Sequence, residues 1–219
     1  MTTVGEWPVN RYVATMSIET PSAADLENLA LASRSGWPED LRVLMTRFPR
    51  EQWQGHANLG EMARFWLSRH AMFRELSGNI EQVTAAFING GLPAADFPGQ
   101  LVPRLQFLLS QLNVHHQIED QHYFPIFKAA EERLARGFDV LEGDHHAIHA
   151  DMAATAETAN ALLRALADKS DARKQGDAYA LASGGLIKGL IRHLDDEEDL
   201  IVPLILDRGE QALGVAHHG

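Results

Sequence analysis

From Asn58 to Leu206 apolar residues return every three or four positions, and no stretch alternates apolar with polar residues as a half-buried strand would. A chain patterned in this way folds by packing helices on helices. The first run, Leu59, Met62, Phe65, Trp66, Phe73, Leu76, Ile80 and Val83, predicts one long amphipathic helix over 58–89, stopped by Gly90-Gly91 and Pro93. A second begins near Gly99 and passes through His115 and His116 towards Pro125, which is expected to kink or end it. Gly137 reads as a break, after which a third helix runs over 138–167. A polar turn over 168–177 then leads into a fourth helix over 178–206. The fold class expected is all-α, an antiparallel four-helix bundle over 58–207. Residues 1–57 read as an extension: an arm over 1–20, a short helix after Pro21-Ser22, and a second from Pro38, which suits a first helical position. Residues 208–219 read as a tail.

Composition narrows the chemistry. None of the 219 residues is cysteine, which excludes thiolate zinc sites, iron–sulfur clusters, cysteine nucleophiles and disulfides. Thirty acidic against nineteen basic residues give a net charge of −11, the wrong sign for neutralising phosphates, so no nucleic-acid partner is expected. The longest uncharged stretches, 82–95 and 105–118, fall short of the roughly twenty apolar residues of a spanning helix, so no membrane partner is expected either. The N-terminus lacks the basic end and apolar run of a targeting segment, and the expected location is the cytoplasm. Histidine is in excess: there are eleven, and six of them fall between His115 and His149. A neutral imidazole is among the commonest metal ligands.

The second and fourth helices repeat one another at an offset of 78 residues. From His115 the chain reads HHQIEDQHYFPIF, and from His193 it reads HLDDEEDLIVPLI. In each, a glutamate stands four positions after the histidine (Glu119, Glu197), another acid follows (Asp120, Glu198), and a proline stands at the tenth (Pro125, Pro203). The first and third helices echo more weakly, His70 against His145. Residues four apart share one helix face about 6 Å apart along the axis, so each pair can offer an imidazole and a carboxylate to one point between helices. A single such pair on a helix is commonly a solvated side-chain contact of a few tenths of a kcal/mol. Its recurrence with the flanking acid and proline argues for a shared buried site, because an uncompensated polar cluster in a core is costly.

This arrangement resembles the hemerythrin-like, HHE cation-binding family, in which a lone histidine, an HxxxE pair, a lone histidine or HxxxH, and a second HxxxE pair stand one to a helix. The matching residues are His70, then His115 with Glu119, then His145 with His149, then His193 with Glu197. The resemblance implies a four-helix bundle holding two iron ions joined by a bridging oxo or hydroxo group, with zinc or manganese also suited to such ligands. The ligand implied is a small diatomic molecule or peroxide. Five imidazoles and two bridging carboxylates exceed what one tetrahedral zinc takes. Around two six-coordinate ions, with the bridging group counted, they leave one position open, as end-on binding of a diatomic molecule requires. Without His149 two positions are open, as an enzyme consuming peroxide or nitric oxide would need. A metal-free interaction module is the third reading.

His116 and His146 stand about 100° around their helices from His115 and His145 and read as surface residues or as partners behind the ligands. His122 and Tyr123 are the candidates for an acid or base near the metals, and His122 reads equally as a satisfied, partly buried histidine. His56 reads as structural, and His217 and His218 as tail. Trp66, Phe73, Leu108, Leu112 and Met152 are expected to wall the site. Gly185 and Gly189 precede His193 by two turns and one, either for close helix packing or to leave room for a small molecule.

Overall fold

The computed structural model describes residues 29–216. The expected short helix after Pro21 lies largely outside them; its last residues, from Leu29, form turns rather than helix. A 3-10 turn at Glu39–Leu41 and the short helix α1 (Val43–Arg47) fall where Pro38 predicts a helix. Four long elements follow: α2 (Glu61–Ile88), α3 (Phe97–Ile118), α5 (Ala135–Ala167) and α6 (Arg173–Arg208). Two short helices complete the order, α4 (Phe124–Ala130) and α7 (Glu210–Leu213). Among the described residues there is no strand, and no helix is long and apolar enough to cross a membrane.

The long helices close a four-helix bundle, with α2 against α3 and α6, and α5 against α3 and α6. On α2 the buried positions include Met62, Trp66, His70, Phe73, Ser77, Ile80 and Thr84, spaced by three or four so that one face stays inward. Glu210 of α7 fixes the start of α2, its carboxylate accepting from the backbone N–H groups of Met62 and Ala63 (3.3 and 2.8 Å). The N-cap there is Gly60, and a Cβ at that position would run into this carboxylate. A negative group at a helix N-terminus is favoured by the unpaired N–H groups of the first turn. Gly90 ends the helix in the left-handed region (φ 74°), as the Gly-Gly signal predicts.

Two expectations are corrected and one is narrowed. Of the kink or end expected at Pro125, the end is absent: the helix continues past this proline. Ahead of it the backbone widens into a π turn, Glu119–Tyr123, with Phe124 N–H donating to the carbonyl five residues back, and α4 then continues to Ala130. The extra residue shifts the register where proline lacks an N–H, so the chain passes the ring without breaking. Gly137 is no break but sits in the first turn of α5, where a Cβ would come within 2.6 Å of Leu200 Cδ1 on α6. Its small size lets the two helices approach. Finally, α6 begins at Arg173, inside the expected polar turn: the Asp171 side chain accepts from Arg173 N–H (3.0 Å), and Gly176 makes room for Ile88 and Phe87 of α2. Polar composition alone does not forbid a helix once its first N–H groups are capped.

The interior has two apolar clusters. One gathers Trp37, Leu41 and Trp53 of the preceding segment with Met62, Phe127, Phe138 and Leu204. The other gathers Phe73, Phe97, Leu108, Leu112, Ile148, Tyr179 and Leu190. Along α2, α5 and α6, and from α3 through the π turn into α4, the sequence passes from one cluster to the other, and polar residues stand at the crossing.

Candidate metal centre

The crossing on α2 is His70, on α3 His115 and His116 with Glu119 at the first residue of the π turn, on α5 His145, and on α6 His193 with Glu197. His70, His116, Glu119, His193 and Glu197 are at most 1% exposed, in a layer with apolar residues above and below. Two groups of ligand atoms converge there: His70, His115, Glu119 and Glu197 form one, and His116, Glu119, His145 and His193 the other, each set lying within 4.8 Å. Glu119 belongs to both. One of its oxygens is 2.8 Å from Nε2 of His115 and the other 3.5 Å from Nε2 of His145. Glu197 likewise spans the pair, with Oε2 3.4 Å from Nε2 of His193 and 3.6 Å from Nε2 of His70.

Four imidazoles present Nε2 to the centre. The Nε2 atoms of His70 and His115 are 3.1 Å apart, as are those of His145 and His193. Two nitrogens about 2.1 Å from one ion and at right angles would stand about 3.0 Å apart. Behind three of them the other ring nitrogen meets a carboxylate: His70 Nδ1 to Glu198 at 3.0 Å, His145 Nδ1 to Asp120 at 2.7 Å, and His193 Nδ1 to Asp144 at 3.4 Å. A carboxylate in that place fixes the tautomer and the ring angle of a ligating histidine. Asp120 lies inside the π turn, which thus carries both a central carboxylate and the acid that orients His145.

The buried atoms without hydrogen-bond partners test whether a cation fits. They include both carboxylate oxygens of Glu119, both of Glu197, and Nε2 of His116. Left so, each costs on the order of 1–3 kcal/mol, and more where the group is charged. Cations held by the two ligand groups would take up these lone pairs between them. Burial also pushes Glu119 and Glu197 well above the usual carboxylate range. It lowers His70 and His115 to about 3 and moves His116 and His145 well down, so these rings are neutral and ready to ligate. The donor set fits a metal of the imidazole-and-carboxylate class.

A model of the hemerythrin HHE cation-binding domain matches residues 61–205. The chain belongs to the hemerythrin HHE cation-binding family. The match spans the four long helices and stops short of the segment that precedes α2. No curated protein and no solved structure matches the chain.

Within this hemerythrin-family bundle, six of the residues singled out in the sequence converge: His70, His115, Glu119, His145, His193 and Glu197. His149 stands one step back. It is half-buried, and its Nε2 faces Nδ1 of His116 at 3.1 Å. His116, read from the sequence as a surface residue or a partner behind the ligands, is fully buried, stacks on the His145 ring at 3.9 Å and belongs to the second group, its Nε2 without a hydrogen-bond partner. The inner arc of a bundle helix is wider than 100°, so two successive residues can both face inward: His115 faces α2, and His116 faces α5. His122 and His146 are exposed and stand apart from the converging atoms. His56 packs edge-on against Phe48, while His217 and His218 lie outside the described residues. Tyr123 is half-buried against Trp66 (ring centroids 4.8 Å). Phe73 and Trp66 stand 5.1 and 6.1 Å from the His115 ring, Leu108 and Leu112 are buried below, and Met152 packs on the same cluster. Gly189 faces Leu31 of the preceding segment, 3.5 Å from where its Cβ would be, which favours packing over space for a small molecule.

One contact was not visible in the sequence. The Trp66 indole N–H donates to Nε2 of His70 (2.9 Å), the atom that points to the centre. The tryptophan stands one turn before the histidine, a spacing that fits such a contact once the histidine is known to be buried.

Proposed function

We propose that the chain is a non-haem di-iron protein that binds dioxygen or a related small molecule, nitric oxide or peroxide, for carriage, sensing or iron handling. The observation that carries this reading is the pair of unpartnered carboxylates, Glu119 and Glu197, each lying between two imidazoles that belong to different ligand groups. Such carboxylates suit a bridging role between two ions. In this reading His70 and His115 serve one ion, and His116, His145 and His193 the other, so that His116 supplies the fifth imidazole. Seven protein ligands, two of them bridging, and one oxo or hydroxo bridge leave a single position open on two six-coordinate ions. A reduced iron pair would supply electrons to the bound molecule. The protein binds and orients the ions, and the apolar clusters on both sides exclude water.

Zinc and manganese suit the same donors, and metal content decides between them. The protein purified without added metal is analysed for iron, zinc and manganese, and the same sample is then examined by absorption spectroscopy without air and after exposure to it. Close to two irons per chain, with charge-transfer bands that appear in air, is the expected result. One zinc per chain and no iron would overturn the di-iron reading. Turnover of peroxide or nitric oxide by the iron-loaded protein would make it an enzyme rather than a carrier.

A further inference from the structure

Two arginines from the segment ahead of the bundle, outside the family match, end beside this centre. Arg34 is 5% exposed although it belongs to a turn near the start of the described chain. Its guanidinium forks onto Asp144, one nitrogen on each oxygen, and its Nε donates to Asp196 at 2.8 Å. A further N–H donates to the carbonyl of Leu29 (2.6 Å), and the Trp37 ring lies 5.0 Å away with its own N–H on the carbonyl of Asp196 (2.8 Å). Asp144 is the carboxylate behind His193. Arg50 repeats the arrangement on the other side. It donates to Glu198 at 2.8 Å and Asp199 at 2.7 Å, and lies over the Trp53 ring at 4.9 Å. Glu198 is the carboxylate behind His70.

We propose that the segment over residues 29–57 is a working part of the metal centre, in which Arg34 acts as a positioning residue that locks Asp144 in place and thereby fixes which nitrogen of His193 faces the ions, whereas Arg50 on Glu198 duplicates a bond that the bundle itself supplies. The inference rests on the metal reading above. It is asymmetric. Glu198 is held a second time, from within the bundle, by Arg74 at 2.7 Å, whereas Arg34 is the one arginine on Asp144 among the described residues. Arg192 holds Asp196, not Asp144. Disturbing Arg34 therefore loosens the group of His116, His145 and His193 and spares that of His70 and His115, while disturbing Arg50 changes little, because Arg74 remains. A partner standing behind a ligand typically changes metal affinity by about 10–100-fold when it is lost. Arginine rather than lysine is needed, since only the planar fork engages both carboxylate oxygens together with a second acceptor.

The test loads full-length protein with ferrous ion in the absence of air and follows its release to a coloured chelator. The variants are Arg34→Lys, Asp144→Asn, the two together, and Arg50→Gln. The wild type is expected to release two ions per chain slowly. R34K is expected to release one of them about 10-fold faster and the other at the wild-type rate. D144N should do the same, and the double variant should go no faster than the quicker single one. R50Q should stay within about 2-fold of wild type. Unchanged release from folded R34K, or equal acceleration of both ions, overturns the inference, the second outcome marking Arg34 as a purely structural residue. If R34K fails to fold, D144N carries the decision alone, since it keeps the side-chain size and leaves Arg34 its bond to Asp196. A wild type that binds no ion overturns the metal reading instead, so the two failures are distinguishable.

Discussion

At the scale of single residues the centre is held by competition for ring nitrogens. His70 has both of its nitrogens engaged, Nδ1 with Glu198 and Nε2 with the Trp66 indole. A cation arriving at Nε2 displaces the indole bond, whose net worth is about 1 kcal/mol. Trp66→Phe removes the competitor, so it should tighten metal binding at that group by about 5-fold in a chelator competition, although the smaller ring lowers the melting temperature of the ion-free protein. A second expectation separates the two histidines that sequence and structure rank differently. His116→Ala should lower the metal bound per chain, because in the proposed di-metal centre its unpartnered Nε2 goes to one of the ions. His149→Ala, which removes only the contact at His116 Nδ1, should weaken binding by about 10-fold and leave the stoichiometry intact. Metal analysis after gel filtration reads both. The HxxxE pairs were legible in the sequence because a spacing of four keeps two residues on one face. His116 was not, because a wheel drawn for one ligand direction has no second inward direction until the neighbouring helices are in place.

At the scale of elements, the periodic apolar residues announced the four long helices, and what they left out concerns glycine and proline. Both residues mark breaks in isolated helices, yet here each serves a contact that only the assembled bundle defines. Pro125 follows a π turn that places Glu119 and Asp120 where they work, and Gly137 lets α5 lie close to α6 at Leu200. The sequence carries no separate sign for a helix stopped by glycine and a helix thinned by it. The close approach is testable. Gly137→Val adds a branched side chain where a single Cβ already stands 2.6 Å from Leu200 Cδ1, so it should cost about 1–3 kcal/mol by overpacking, read as a lower midpoint in urea. Gly143, on the same helix, has no atom within 4 Å of its Cβ position. Gly143→Ala should therefore stabilise slightly, by up to about 1 kcal/mol, since alanine is the better helix former.

At the scale of the molecule, the fold buries a layer of imidazoles and carboxyls between two apolar clusters, and this decides how metal uptake depends on pH. Burial lowers His70 and His115 to about 3, so in the folded, ion-free protein these rings have no proton to give up at any pH near neutrality. The carboxyls behave oppositely. Burial raises Glu119 and Glu197 well above their ordinary 4.5, with Glu119 adding to the effect on Glu197, so the ion-free protein holds these protons to a higher pH than a free carboxyl would, and a bound cation must expel them. The raised value belongs to the ion-free fold and the ionised form to the loaded one, so binding releases protons and affinity rises with pH until the raised carboxyl values are passed. Below them, affinity for ferrous ion should fall by up to about tenfold per pH unit for each proton released, with no further step near 6.5 from His70, His115, His116 or His145. Chelator competition between about pH 5.5 and 7.5, alongside proton release in weakly buffered solution, reads both quantities. A midpoint near 6.5 that moves on replacing His115, while Glu197→Gln leaves the slope unchanged, would place the exchanging protons on the imidazoles instead. The expected outcome is the reverse: E197Q flattens the slope, because the amide has no proton to surrender.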